Sequence, residues 1–293
     1  MNLGYIGLGN MGGALARRML LSAPLRVFDL NPDAVRRLTD LGAQPSQSPA
    51  AMAQECDIIM TCLPTSDHLR DAIFGAGGML EGLTPGKLVV DQTTGDPNET
   101  RAMAAELKER GIDLIDAPVS GGPKGADAGT IAIMVGAPQG LFDRIRPHLE
   151  TVSPNIFHCG AVGAGQTMKL VNNVVSACNR IATFEAVAMG AKNGLDLKKM
   201  VEVLSAGSGQ SKAVTISLPR MLSGTLGDFA LDLMLKDVRL ACQLGRASGA
   251  PMTAANLTHE IMRSAANMLG DGSVSVDRVI DLIERNADVK MFK

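Results

Sequence analysis

Leu3 to Ile6 is a short apolar run, followed at once by Gly7-Leu-Gly-Asn-Met-Gly12 and by the amphipathic stretch Ala14–Leu21. Few local patterns constrain a fold more. The apolar run suits a buried parallel strand, and the three spaced glycines turn it directly into a helix. The next apolar run, Leu25–Asp29, supplies a second strand and ends in an acid. The glycines serve different ends. Gly7 permits a tight turn, Gly9 a close backbone approach by a ligand, and Gly12 close helix–strand packing. The helix start offers unpaired N–H groups and a positive dipole end to an anion. Together Gly7, Gly9, Asn10, Met11 and Gly12 predict a site for a dinucleotide pyrophosphate. Asp29 stands about 20 residues beyond Gly7, where a carboxylate accepts hydrogen bonds from ribose hydroxyls and repels a 2′-phosphate. This favours NAD over NADP. The competing reading is a glycine turn with a helix-capping Asp before Asn31-Pro32.

The alternation continues. Helices are expected over Pro32–Leu41 and Pro97–Arg110, and strands over Asp57–Leu63, Lys87–Asp91, Ile112–Ala117 and Ile131–Val135. Such alternation predicts a doubly wound, mostly parallel α/β sheet covered on both faces. Ligands of these sheets bind beyond the carboxyl ends of the strands. Leu63-Pro64 and Thr93-Thr94 lie at such ends with the glycine loop and Asp29, although loop entry and helix capping account for each pair equally well. In Asp116-Ala-Pro-Val-Ser-Gly-Gly122, the Ser120 hydroxyl and the bare N–H groups of Gly121 and Gly122 form a donor set suited to a carboxylate. From spacing alone a plain loop is the better account. Lys124 just downstream either adds charge at the mouth or is simply solvated.

A second glycine turn, Gly160, Gly163 and Gly165, opens a long proline-free segment that is apolar over most of its length. Lys169 and Asn173 on it are four apart and share a helix face. They sit among Met168, Leu170, Val171, Val174 and Val175, so Lys169 either snorkels or is buried for a purpose. A lysine among apolar groups, beside the positive charge of an oxidised nicotinamide, loses its proton more readily, as a general base must. From Leu195 on, segments near 196–205, 231–248, 252–269 and 275–285 have helical periodicity. Gly/Ser-rich loops fall at 205–211 and 270–275. The chain therefore divides into a dinucleotide-binding domain, 1–162, and an all-helical substrate and assembly domain, 163–293. A long helix at about 163–192 is the hinge element between them.

With 293 residues and a formal charge of −2, no basic tract or acidic tail points to nucleic acid or an anionic membrane surface. Trp is absent and Tyr5 is the only tyrosine, so stacking platforms for bases are scarce. Five scattered cysteines and four dispersed histidines form no ligand-like spacing, so no metal is expected. The thiols suit a cytoplasmic protein. The first strand begins almost at Met1, leaving no room for a targeting segment, and no uncharged apolar run is long enough to span a membrane.

In order along the chain, GLGNMG at 7–12, LPTS at 63–66, DQTTGDP at 91–97, DAPVSGG at 116–122, GAVGAGQTMKLVNN at 160–173 and LKD at 235–237 resemble the motifs of the β-hydroxyacid dehydrogenases. This group includes 3-hydroxyisobutyrate dehydrogenase and tartronate semialdehyde reductase, and the resemblance covers Leu3 to about Ile283. It implies a catalytic role for Lys169 and substrate orientation by Asn173. It implies that Ser120, Gly121 and Gly122 hold the substrate carboxylate. Lys236 matches a lysine reaching substrate and cofactor, with Asp237 as its support, and Thr94 a residue near the nicotinamide. Gln92, Thr93, Pro123-Lys124 and GSGQSK at 207–212 depart from the family pattern. Imine-reducing relatives usually lack a lysine at the Lys169 position. The expected activity is NAD-dependent hydride transfer on a small 3-hydroxy acid or its semialdehyde, in a homodimer or homotetramer. A sulfonate or larger polyol acid as substrate, and a non-catalytic NAD(H) sensor, are the alternatives.

Overall fold

Apolar runs at the N-terminal end of the chain pair side by side. The computed structural model, which describes residues 1–292, places β1 (Leu3–Ile6), β4 (Ile58–Thr61) and β5 (Leu88–Asp91) in adjacent positions, with every residue of each buried. Around them lie β2 (Leu25–Phe28), β3 (Gln44–Pro45), β6 (Asp113–Asp116), β7 (Val119–Ser120), β8 (Ala132–Gly136) and β9 (Ile156–Gly160). The order is β3-β2-β1-β4-β5-β6-β8-β7, with β9 against β8. From β3 to β6 all pairs are parallel. Alternate residues feed two cores: Ile58, Met60, Leu88 and Val90 pack on one face, Ile59 and Val89 on the other.

The helices of this unit are α1 (Asn10–Leu20), α2 (Pro32–Thr39), α3 (Pro49–Glu55), α4 (Ser66–Phe74), α5 (Pro97–Lys108), α6 (Gly122–Asp127) and α7 (Gln139–Glu150). Asn31, Ser48, Thr65 and Asp96 cap α2 to α5 with side-chain oxygens. From β1 the chain runs outward through β2 and β3, then returns to β4 on the other side of β1. The strand order thus reverses between β1 and β4, and sheets of this kind bind their ligands beyond the carboxyl ends of the strands at such a reversal.

Two local expectations are revised. Helix α1 starts at Asn10, ahead of the expected Ala14, because Gly12 and Gly13 are themselves helical. The strand expected over 131–135 is found at Ala132–Gly136 but runs antiparallel to β6 and β7, because the chain doubles back through β7 and α6.

The chain forms two compact units that divide after Lys169, inside the long helix α8 (Ala164–Lys192). The unit from Leu170 onward is helical: the rest of α8, then α9 (Leu197–Ala206), α10 (Leu218–Leu222), α11 (Leu231–Ser248), α12 (Thr253–Leu269) and α13 (Val279–Ala287). Phe184, Leu218, Leu231, Met262 and Val279 form its core. A π-helical turn, Ala213–Ser217, precedes α10. The segment expected at 275–285 is a 3-10 turn, Val276–Arg278, followed by α13.

Candidate active site

The glycine loop between β1 and α1 has the shape its sequence requires. A Cβ on Gly7 would meet the Cys62 carbonyl at 2.3 Å, and one on Gly12 the Gly7 carbonyl at 1.9 Å. Those two glycines let β1, α1 and the end of β4 touch. Gly9 differs: a Cβ there meets nothing within 4 Å. Gly9 is the N-cap of α1, gives no side-chain cap, and is followed by no acid in the first turn. An open helix N-terminus, presented by Asn10, Met11 and Gly12, fits a pyrophosphate.

Asp29 follows β2 and is tied to the same loop. Its Oδ2 accepts from Leu8 N–H at 2.6 Å, and its Oδ1 from Asn31 N–H at 2.7 Å. The carboxylate therefore braces the glycine loop, and its remaining lone pairs are available for ribose hydroxyls. Leu63, after β4, donates its N–H to Thr93 Oγ1 at 3.0 Å, so the loops bearing Leu63-Pro64 and Thr94 are joined. Ser120 closes β7. Gly121 and Gly122 follow with φ of 147° and 69°, angles that a side chain strongly disfavours, and lead into α6. A short helix thus stands where a plain loop was the simpler expectation.

Lys169 and Asn173 lie one turn apart on α8, and both are buried, at 7% and 5% exposure. Met168, Val171 and Val175 on the same helix are exposed. Exposed apolar neighbours around a buried lysine are the reverse of a snorkelling arrangement. Within the helical unit, Asn173 is oriented on both sides of its amide. Its Nδ2 donates to Asp237 Oδ2 at 2.6 Å, and its Oδ1 accepts from Asn172 at 2.9 Å. Lys236 Nζ stands 3.2 Å from Asp237 Oδ1, an ion pair outside hydrogen-bond alignment. Asp237 is thus a buried hub linking Asn173 to Lys236, not half of a surface pair.

Three further residues surround the start of α8. Asp91 and Asp116 end β5 and β6, and both are buried. Burial pushes each carboxyl up to about 6; hydrogen bonds from Thr93 and Thr61 restrain Asp91, and the N–H groups of Gly163 and Gln166 restrain Asp116. Gln166, fully buried, joins the two acids. The visible signal is an acid at the end of each buried apolar run, which has to find donors; nothing in spacing says which. Among the described residues, no group of three or more His, Cys, Asp or Glu is placed to hold a metal.

Residues 2–160 match the family model for the NAD binding domain of 6-phosphogluconate dehydrogenase. Residues 163–280 match that for the NAD-binding region of NADP-dependent 3-hydroxyisobutyrate dehydrogenase. A probable mitochondrial 3-hydroxyisobutyrate dehydrogenase of Dictyostelium discoideum is 36% identical over 97% of this chain and 91% of its own. The chain belongs to the β-hydroxyacid dehydrogenase family. Another member, 2-(hydroxymethyl)glutarate dehydrogenase of Eubacterium barkeri, is also 36% identical, over 99% of this chain and 97% of its own. Among solved structures of the family, Mycobacterium tuberculosis 3-hydroxyisobutyrate dehydrogenase with L-serine superposes with a TM-score of 0.88. It is 31% identical and covers 96% of this chain and 98% of its own.

Proposed function

We propose that this β-hydroxyacid dehydrogenase transfers a hydride between a nicotinamide dinucleotide and the carbinol carbon of a small 3-hydroxy acid, or reduces the matching semialdehyde. The observation that carries this reading is the buried Lys169, one turn from a buried and fully oriented Asn173. The bound nicotinamide supplies the hydride chemistry. The chain supplies the rest. The α1 N-terminus and Gly9 hold the pyrophosphate, and Leu63, Pro64 and Thr94 line the cofactor's path. Ser120, Gly121 and Gly122 hold the substrate carboxylate, assisted by Lys236, which also reaches the cofactor. Asn173 orients the hydroxyl. Lys169 in its amine form accepts the hydroxyl proton during oxidation, and as the ammonium returns it during reduction.

Asp29 is the basis for preferring NAD to NADP: a carboxylate in that position repels a 2′-phosphate. Asp29→Ala relaxes the preference, and a native preference for NADP by kcat/KM overturns it. The fold domains are taken as 1–162 and 163–293. The five scattered cysteines favour a cytoplasmic setting, and no helix among the described residues is long and apolar enough to cross a membrane. Copies of the chain associate through the helical unit. Helix α9 has no buried residue, and Leu195, Val203 and Leu257 are exposed; sedimentation tests this.

The deciding experiment screens short 3-hydroxy acids, both enantiomers of each, with NAD and with NADP. Turnover of one or more is expected. NAD binding by calorimetry without turnover of any would favour a nucleotide sensor instead.

A further inference from the structure

Gln166 lies in the first turn of α8, fully buried, and every polar atom of its side chain is engaged. Nε2 donates to Asp91 Oδ2 at 3.1 Å and to the Thr93 carbonyl at 2.7 Å. Oε1 accepts from Gly95 N–H at 3.0 Å. The side chain therefore grips the loop after β5 on both sides of Thr94. Its own backbone N–H donates to Asp116 Oδ2 at 2.7 Å, while Asp116 Oδ1 accepts from Gly163 N–H at 2.6 Å. One residue thus binds the ends of β5 and β6 to the helix that presents Lys169 three positions later.

Only a primary amide fits these partners. Two donors must face a carboxylate and a carbonyl while one acceptor faces an N–H, on a stem long enough to leave the helix. An apolar replacement strands a buried carboxylate oxygen, a carbonyl and an N–H. A carboxylate sets negative charge against Asp91. Neither Lys169 nor Thr94 is touched by Gln166 in these bonds, so its effect on them is through geometry.

We propose that Gln166 is a positioning residue, which fixes the Thr94 loop to the first turn of α8 and thereby sets the place of Lys169 relative to the nicotinamide side of the site. The inference rests on the assignment of Lys169 as the proton-exchanging group. A displacement of reacting groups by about 1 Å costs on the order of 10²-fold in rate, so the loss of this clamp is to be read in kcat and not in affinity.

Three measurements on the full-length protein test it. In Gln166→Leu, kcat falls by on the order of 10²-fold, while the KM for the hydroxy acid and the calorimetric affinity for NAD stay at wild-type values. In Gln166→Glu, the introduced carboxyl serves as donor to Asp91 only while it keeps its proton. Its kcat therefore falls with rising pH over a range where the wild-type value does not. The charged and titratable groups around this clamp are Asp91, Asp116, Arg101, Cys159, Tyr5 and Cys62. They are common to both proteins, so the difference between the two profiles isolates position 166. The third measurement needs no turnover: acetylation of each lysine by a small anhydride, followed by mass spectrometry. Gln166→Leu changes the labelling rate of Lys169 and leaves that of exposed Lys198 unaltered.

A wild-type kcat in Gln166→Leu overturns the proposal. So does a loss of activity that merely tracks the fraction of unfolded protein, or a Gln166→Glu profile that superimposes on wild type. If the wild type turns over none of the hydroxy acids, the assigned activity fails instead. The labelling experiment then decides alone, and an unaltered Lys169 rate overturns the proposal.

Discussion

Two strand–glycine–helix junctions in the first unit use the same local device for opposite ends. At β1–α1 the helix N-terminus is left open: Gly9 gives no cap, no acid lies in the first turn, and the space above Gly9 is empty to 4 Å. At β9–α8 the N-terminus is plugged from within by the buried carboxylate of Asp116. Both helix starts present N–H groups and a positive dipole end that attract an anion. The first keeps its place for a ligand, and the second fills it with a side chain. Openness suits the first to the dinucleotide proposed for it. The plug makes the second a rigid mount, and Lys169 stands within a turn of it.

The largest effect expected from breaking this contrast lies just beyond the plug. Lys169→Ala lowers kcat by about 10²–10⁴-fold with the dinucleotide affinity of the open end intact; steady-state kinetics beside calorimetry read both. Next comes Gly165→Ala. Its Cβ would lie 2.3 Å from the Met134 carbonyl and 2.9 Å from Asp116 Oδ2. Overpacking of this kind costs about 1–3 kcal/mol, read by chemical denaturation. The matching change at the open end, Gly9→Val, adds a Cβ that meets nothing within 4 Å. Stability should stay at the wild-type level, while dinucleotide affinity falls by about tenfold, or 1.4 kcal/mol. A stability loss at Gly9→Val equal to that at Gly165→Ala would erase the distinction.

The smallest effect concerns protonation of the plug. The Asp116 carboxyl is pushed up to about 6 from its ordinary value of 3.8, chiefly by burial. A raised folded-state value means that the folded protein binds the proton more tightly. The resulting stability is fully present below about pH 4 and is lost as pH rises through about 6. Asp116→Asn removes this dependence. The Tm difference between wild type and Asp116→Asn should therefore shift in favour of wild type as pH is lowered from about 7 to about 5, measured by calorimetric scans at both values. A difference independent of pH would show that the plug does not titrate in this range.

Much of this arrangement is legible in the chain itself. The strands of the parallel sheet announce themselves as apolar runs that stop at glycine, proline or an acid, and α8 as a long segment without proline. The glycine loop is local, so its spacing carries its geometry. The clamp is not local. Gln166 and Asp91 are 75 positions apart, and no periodicity tells which buried acid meets which amide. Asp237 has the same character: beside Lys236 it resembles a surface pair, and only the packing of α11 against α8 shows it holding Asn173. The antiparallel turn at β8 is hidden because a buried apolar strand looks the same in either direction.

The contact among Gly136, Asp116 and Gly165 bears on how such a protein changes over generations or in a mutagenesis library. A methyl on Gly136 would strike both Asp116 oxygens, at 2.5 and 2.7 Å, and one on Gly165 would strike the same acid. Shortening Asp116 would make room but strand two buried N–H groups. No single step leaves the arrangement without loss, so the three positions form one inherited unit. Variation aimed at a new substrate belongs at the departing positions, Pro123-Lys124 in α6 and 207–212, where a change leaves this mount for α8 untouched.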